Sequence, residues 1–211
     1  MTNWTTRTYE SGGTIHLSCA ETAKLIRKAL KESFPTAKFS VRSDHYSMGA
    51  SVNVTWVDGP TEKAVRDVVG IFAGEGFDGM IDLRYSKEHW MMPDGTVTLA
   101  HRASESTTIP PIINDAPGPG AQLVSFGADH VMTQRRLSAA VEAEIQAEIA
   151  EVTGKPYPRE NEHSVLLPWR AFVDDDGTVK LAHCDWNQSY AGNLVWQIGS
   201  QRNFSQKAVA A

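Results

Sequence analysis

The sequence lacks the features that identify membrane, secreted and disulfide-stabilised proteins. No apolar run approaches the length that spans a bilayer, and the N-terminal residues contain no hydrophobic signal segment. The two cysteines, Cys19 and Cys184, lie far apart in the chain and belong to no CxxC pair. This usage is typical of buried free thiols in a reducing compartment. We therefore expect a soluble, cytoplasmic protein.

Motifs that identify an enzyme or a cofactor site are also missing. The sequence contains no P-loop, GxSxG, HExxH or dinucleotide fingerprint. His183, Cys184 and Asp185 are adjacent, so in a strand they point to alternate sides and cannot all bind one ion. Asp78 and Asp82 are candidates for an acid and base pair, although a turn at Asp78 explains that residue equally well. We predict no catalytic residue, no metal ligand and no cofactor.

What the sequence does contain is typical of a folded protein with an uneven distribution of charge. Its 211 residues, 41% of them hydrophobic and 21% charged, suffice for one large domain or two small ones. The net charge of -5 does not favour a protein that coats nucleic acid. Basic residues are concentrated early in the chain and acidic residues late.

The first hundred residues predict an α+β fold, in which two helices cover one face of a small antiparallel sheet. Ser18 is the expected N-cap of the first helix, with Glu21 completing a capping box. Apolar residues recur at helical or at alternating spacing in the segments that follow. The predicted elements are a strand at 14–17, a helix at 19–34, strands at 38–43 and 50–57, a helix at 61–72, and strands at 79–85 and 96–102.

Thr107–Gly120 is predicted to be a linker, because its four prolines remove backbone hydrogen-bond donors. Beyond it we predict a long helix over 133–152 and a hairpin formed by 165–173 and 178–184. The predicted domains are 1–106, an α+β domain, and 121–211, a helix and hairpin region. The second region either folds separately or shares one core with the first. The tail beyond Asn203 is expected to fray.

A basic group occupies the predicted first helix and the strand after it. Residues 20–43 contain six lysines and arginines against two glutamates. Such a face suits salt-sensitive, sequence-independent contacts with phosphates, whereas a solvated helix face needs the same residues only for solubility. The candidate nucleic-acid-binding residues are Lys24, Arg27, Lys28, Lys31 and Arg42.

An acidic group occupies the second half of the chain. Residues 137–176 contain nine acidic side chains against three basic ones. An acidic surface can dock on a cationic groove that normally holds nucleic acid, because complementary potentials increase the association rate and the specificity. A solvated helix face and a polar turn are the alternative explanation. The candidate partner-binding residues are Glu144, Glu148, Glu151, Asp174, Asp175 and Asp176.

Three segments together resemble the large polyvalent protein-associated domain numbered twenty-nine. They are Lys38–Ser43, Ser47–Thr61 and Gly76–Leu83, and the resemblance extends over about Ser18 to Arg102. Domains of this family are similar to one another in bacteriophages, plasmids and other conjugative elements, often within giant proteins that enter the host along with DNA. The resemblance supplies no catalytic residue.

By implication, the protein is an accessory protein of a phage or plasmid that works in the cytoplasm of a bacterial host. A compact, acidic member of this family looks like an inhibitor of anti-CRISPR or anti-restriction type, which binds a host defence protein or nucleoprotein complex stoichiometrically. This implication rests on analogy with the family. A nucleic-acid-binding module that uses the basic group is the second hypothesis. An enzyme that acts through Asp78, Asp82 or a histidine is the third.

Overall fold

The structure, a computed structural model, describes residues 9–11, 13–105, 108–158, 166–173, 179–184 and 189–205. The chain divides into two compact units: Met1–Thr55 with Lys63–Gln134 form the first, and Trp56–Glu62 with Arg135–Ala211 form the second. The fold is α+β, as predicted. Within the described residues, no helix is both long and apolar enough to cross a membrane.

The elements that lie wholly or mainly in the first unit follow the predicted helix-strand-strand-helix-strand order, with further strands on both sides. In chain order they are β1 (Tyr9–Ser11), β2 (Thr14–Leu17), α1 (Cys19–Ser33), β3 (Phe39–Tyr46), β4 (Gly49–Val57), α2 (Glu62–Val69), β5 (Glu75–Asp78), β6 (Leu83–Met91), β7 (Val97–Arg102), β8 (Ile112–Ile113), β9 (Gln122–Phe126) and β10 (His130–Arg136).

Local sequence signals explain why α1 begins where it does and which side it buries. The Ser18 side chain accepts a hydrogen bond from the Glu21 amide at 3.2 Å, which confirms the predicted N-cap. The carboxylate of Glu21 contacts the ammonium group of Lys24 at 2.7 Å. Ala23, Ile26 and Leu30 are buried, as their helical spacing predicts.

Two sheets form the first unit. The smaller has the strand order β10-β4-β3, and α1 packs against β3. The larger has the order β1-β2-β9-β6-β7-β8, with β5 paired to β6. Strands β2 and β9 run parallel, whereas β5, β6 and β7 pair antiparallel. The core of this unit includes Val52, Val54, Val124 and Phe126.

The segment predicted as a linker contributes a strand to the larger sheet. Ile112 and Ile113 form β8 at the sheet edge, and the amide of Asn114 donates to the carbonyl of Ala100 at 2.8 Å. Prolines are tolerated there because an edge strand leaves one row of amides without a partner strand. The units also group the chain differently from the predicted domains, because 121–134 lie in the first unit and 56–62 in the second.

Two predicted element boundaries were wrong. Residues 79–82 form a turn, and the strand begins at Leu83, because the side chain of Asp78 accepts a hydrogen bond from the Met80 amide at 2.9 Å. Residues 133–136 belong to β10, and the helix begins after Ser138, whose hydroxyl accepts from the Val141 amide at 3.3 Å. Sheet pairing, which the local pattern does not encode, extends the strand to Arg136.

The second unit is built mainly from two helices and short antiparallel pairs. Its elements are α3 (Ala139–Thr153), β11 (Leu166–Leu167), β12 (Trp169–Val173), β13 (Val179–His183), β14 (Ser189–Tyr190) and α4 (Ala191–Gln201). Its core consists of Val141, Ile145, Ile149, Leu194, Val195, Ile198 and Phe204. The predicted hairpin is confirmed by the pairing of β12 with β13, while its turn at 174–178 lies outside the described residues.

Residues 56–62, in the first third of the chain, complete the second unit. The Arg135 guanidinium donates to the carbonyls of Asp58, Gly59 and Gly199 at 2.8 to 3.0 Å. The amide of Phe204 also donates to the carbonyl of Gly59, at 2.8 Å. Phe204 is buried and the Ser205 amide donates to the Asn203 side chain, so the fraying expected beyond Asn203 does not apply to these two residues.

Candidate binding surfaces

Three of the predicted partner-binding residues form one flank of α3. Glu144, Glu148 and Glu151 are four and three residues apart, a spacing that places them on the same side of a helix. Glu144 and Glu151 are exposed. The adjacent side of α3 is buried through Val141, Ile145 and Ile149, so this acidic flank (Glu144, Glu148 and Glu151) is held at the surface of the second unit.

Glu148, in the middle of the acidic flank, is bound by an arginine from the same unit. Arg202 donates from both terminal nitrogens to the two carboxylate oxygens, at 2.6 and 2.7 Å. These hydrogen bonds, more than the attraction between the charges, lower the pKa of Glu148 below its ordinary value, although burial opposes them. Glu148 therefore positions α3 against the end of α4.

The formal charge of the acidic flank stays negative when Arg202 is counted. Its three glutamates with Arg202 give a balance of two negative charges, and Glu142, on another side of the helix, brings the balance of α3 to three. The other predicted partner-binding residues, Asp174, Asp175 and Asp176, lie outside the described residues.

Four of the five candidate nucleic-acid-binding residues share the exposed side of α1: Lys24, Arg27, Lys28 and Lys31. Two glutamates of the same helix balance part of this charge, because Lys24 contacts Glu21 at 2.7 Å and Lys28 lies 3.9 Å from Glu32. Four cationic and two anionic side chains leave two positive charges on α1.

Arg27 is bound to the backbone of β3, and Arg42 faces away from α1. Arg27 donates to the carbonyl of Val41 at 2.6 Å, which ties its guanidinium to β3. Val41 is buried on the side of β3 that α1 covers. Because side chains alternate along a strand, Arg42 faces the opposite side of the sheet. The five candidate residues therefore do not lie together on one face.

Asp78 has a clear structural role. Its side chain is only 2% exposed, and its Oδ1 and Oδ2 accept hydrogen bonds from the Met80 amide at 2.9 Å and the Thr108 hydroxyl at 3.2 Å. Asp82 is exposed and adopts a positive φ of 54°, which is uncommon for a residue other than glycine. These contacts match the turn interpretation of Asp78, and they leave the acid and base hypothesis without a supporting observation.

His183 and Cys19 make contacts with neighbouring residues of the fold. The ring of His183 meets that of Trp169 edge to face at 5.3 Å, and Asp185 lies outside the described residues. Burial raises the pKa of the Cys19 thiol, whose sulfur donates to the carbonyl of Ser51. In the part of the chain that the structure describes, no three such side chains are grouped to hold a metal ion.

An apolar surface that the sequence did not predict lies where β5 turns into β6. We call it the apolar tip, and it consists of Phe77, Met80, Ile81 and Leu83, whose exposed fractions are 54%, 78%, 42% and 47%. The predicted strand at 79–85 implied that about half of these side chains would be buried. The segment Gly76–Leu83 was nevertheless distinctive, since it carried part of the family resemblance.

A cavity of about 570 Å³ lies beside the apolar tip. Its apolar lining includes Ile81, Leu83 and Pro111, and its polar lining includes Ser104 and Glu105. A second cavity, of about 250 Å³, lies between α1 and β3, beside Arg27 and Lys31. Among the described cavities, the one at the tip is thus large enough for more than one side chain of a partner.

Comparisons with known proteins agree with the resemblance carried by the first half of the chain. A family model described as "Large polyvalent protein associated domain 29" matches residues 17–138, more than half of the chain. This match also includes β8, β9 and β10, which lie beyond the predicted extent of the resemblance. No curated protein and no solved structure matches the chain.

Proposed function

Since the chain belongs to the large polyvalent protein associated domain 29 family, we propose that it is an accessory protein of a phage or other mobile element that acts by binding. Its proposed target is a host defence nucleoprotein complex of the CRISPR or restriction type, which it inhibits stoichiometrically. The family indicates the context of a mobile element, and the charge of the second unit supports the kind of partner.

The acidic flank of α3 is the observation that carries this proposal. Its three glutamates with Arg202 give a formal balance of two negative charges, and α3 as a whole gives three, against two positive charges on α1. Carboxylates at helical spacing are repelled by phosphates and attracted to the lysines and arginines that line a nucleic-acid groove. Complexes that handle DNA or RNA must contain such grooves, so an acidic helix can occupy one in place of the nucleic acid.

Glu144 and Glu151 have a different role from Glu148 in this proposal. Glu144 and Glu151 contact basic side chains of the partner. Glu148 keeps its ion pair with Arg202 and fixes the orientation of α3, because breaking a partly buried, bidentate pair leaves an uncompensated charge. The proposed contacts with the partner therefore lie on both sides of Glu148 along α3.

Charge reversal on the acidic flank tests the proposal. The wild type and the Glu144→Lys/Glu151→Lys variant are titrated against a panel of purified CRISPR effector complexes and restriction enzymes, with binding and nucleic-acid cleavage as readouts. We expect the affinity to fall at least about 100-fold, because two attractions become repulsions. Glu142→Lys is the matched control, since Glu142 lies on another side of α3; it should change the affinity by no more than about threefold, about 0.65 kcal/mol.

Two results would overturn the proposal. One is that the Glu144→Lys/Glu151→Lys variant binds the complex with the same affinity as the wild type. The other is failure of the wild-type protein to bind or inhibit any complex of the panel.

A nucleic-acid-binding module is the second candidate, favoured by the exposed alignment of Lys24, Lys28 and Lys31 on α1. It requires the protein to bind DNA or RNA by itself, with an affinity that falls steeply as salt rises. A gel-shift titration at several salt concentrations distinguishes the two candidates. Lys24→Glu/Lys31→Glu should abolish binding if this candidate is correct and should leave inhibition unchanged if the first is correct.

A further inference from the structure

We propose that the apolar tip is a docking surface for an amphipathic protein segment that carries aliphatic and basic side chains. The tip and the cavity beside it belong to the first unit, whereas the acidic flank belongs to the second. The proposal therefore concerns a second contact surface. It can be correct or wrong whether or not the proposed function is correct.

The exposure of the tip has no explanation in the folding of its own hairpin. Four large apolar side chains are at least two-fifths exposed within seven consecutive residues, 77–83. Polar residues would form this turn equally well, because the turn is fixed by the side chain of Asp78 and not by apolar packing. A contiguous exposed apolar surface of this kind is typical of an interaction site.

The tip is ordered before any partner binds. Asp78, at its base, accepts hydrogen bonds from the Met80 amide and the Thr108 hydroxyl. Gly76 is paired with Tyr85, and a side chain at Gly76 would overlap the Tyr85 ring. Asp82 adopts a positive φ within this turn, a backbone conformation that is uncommon for a residue other than glycine. A surface that is already ordered loses less conformational entropy when it binds.

The cavity beside the tip gives the partner a place to insert side chains. At about 570 Å³, it lies in the range of cavities that accept small molecules or several aliphatic groups. Ile81 and Leu83 belong to both the tip and the lining of the cavity. A partner with apolar residues along one side can thus cover the tip and fill the cavity at once.

The charges around the tip determine the kind of partner. Asp82 and Glu105 are exposed carboxylates at its rim, and Arg84 is paired with Glu75 at 2.9 Å. This rim repels the phosphates of nucleic acids and of anionic membranes. A symmetric contact between two copies would bring like-charged rims together. Basic side chains on an apolar segment of another protein complement both the rim and the tip.

Binding of designed peptides to the full chain tests the proposal. The probe is a synthetic amphipathic peptide of leucine and lysine; its controls replace lysine by glutamate, or leucine by serine. We expect the leucine–lysine peptide alone to bind, and to shift the amide resonances of residues 79–83 and 103–105. The Glu144→Lys/Glu151→Lys variant should bind this peptide with the same affinity as the wild type. That result would show that the peptide binds at the tip and not at the acidic flank.

Substitutions at exposed methionines provide a matched comparison. Met80 and Met48 are both 78% exposed, but Met48 lies on the turn between β3 and β4. Met80→Ser should weaken peptide binding at least about tenfold, whereas Met48→Ser should leave it unchanged. Asp82→Asn/Glu105→Gln should weaken binding several-fold and reduce its dependence on salt. Circular dichroism verifies that each variant is folded.

Several outcomes would overturn the proposal. They include no binding of the leucine–lysine peptide, equal affinities of Met80→Ser and Met48→Ser, and resonance shifts confined to other surfaces. Sedimentation with phosphatidylserine vesicles, a DNA gel shift and sedimentation velocity test the other occupants. A membrane, nucleic acid or a second copy is the occupant instead if Met80→Ser abolishes the corresponding association.

Discussion

His89 is an ionisable side chain enclosed by apolar neighbours. It is 1% exposed, and the centre of its ring lies 4.9 Å from that of Phe126. Burial, reinforced by the positive charge of Lys87 and opposed by Glu88, lowers the pKa of His89 to about 4. The folded protein therefore holds this imidazole neutral, while the unfolded chain protonates it near pH 6.5.

This difference predicts a loss of stability in mild acid. Between pH 6.5 and pH 4 the unfolded state binds more protons than the folded state, so the free energy of unfolding falls as the pH is lowered. From pH 7.5 to pH 5 the loss due to His89 should be about 2 kcal/mol. Urea unfolding at both pH values checks this: the difference should shrink in His89→Leu, and an equal difference in both proteins would contradict it.

Single residues also show why the binding surfaces were only partly predictable. The positions of Glu144, Glu148 and Glu151 on one flank follow from helical spacing alone. The pairing of Glu148 with Arg202 does not, because it joins residues far apart in the sequence. The burial of Asp78 and His89 likewise depends on tertiary enclosure, which a pattern of neighbouring residues does not contain.

At the scale of elements, the two longest described helices begin with the same N-cap hydrogen bond. Ser18 and Ser138 have extended backbones, and each side-chain oxygen accepts a hydrogen bond from an amide three residues later. Because the first amides of a helix lack partners within it, such a bond stabilises the folded chain directly.

Removal of either cap should therefore destabilise the unit that contains it. We expect Ser18→Ala and Ser138→Ala each to lower the free energy of unfolding by about 1 kcal/mol. Ser33→Ala, at the exposed last residue of α1, should change it by less than about 0.5 kcal/mol. Chemical denaturation followed by circular dichroism measures the three variants, and equal stability of Ser18→Ala and Ser33→Ala would contradict the role of the cap.

Elements with a strong local pattern were predicted correctly, and those that depend on distant partners were not. Helix α1 and strands β3 and β4 follow from apolar periodicity. Helix α4 was missed because two glycines and an asparagine give it a weak intrinsic preference for helix. It is stabilised by the burial of Leu194 and Ile198, and Gly199 allows close approach to Leu137.

At the scale of the whole molecule, Arg135 joins parts of the second unit that are distant in sequence. Its guanidinium binds three backbone carbonyls and lies over the ring of Phe204, 5.1 Å from the ring centre. Burial lowers its pKa, while Asp58 and Glu62 favour its charged form. A lysine at this position would be unable to serve all three carbonyls in their fixed directions.

Arg135→Lys should therefore lower the free energy of unfolding by about 3 kcal/mol, because buried carbonyls lose charge-assisted hydrogen bonds. Arg136→Lys is the matched control: the neighbouring side chain is exposed, and the change should be within about 0.5 kcal/mol. Urea unfolding followed by tryptophan fluorescence measures both variants. Similar effects of the two substitutions would show that the three carbonyl contacts do not hold the unit together.

Residues 56–62 emerge from the ribosome well before α3 and α4, with which they form the second unit. Trp56, Gly59 and Pro60 are buried in the finished protein, and their unit is complete only after about 140 further residues have been synthesised. The second unit is thus completed last during translation. A C-terminal fragment that starts at Arg135 would lack the segment 56–62 and should recover its structure only when a peptide spanning 56–62 is supplied in trans.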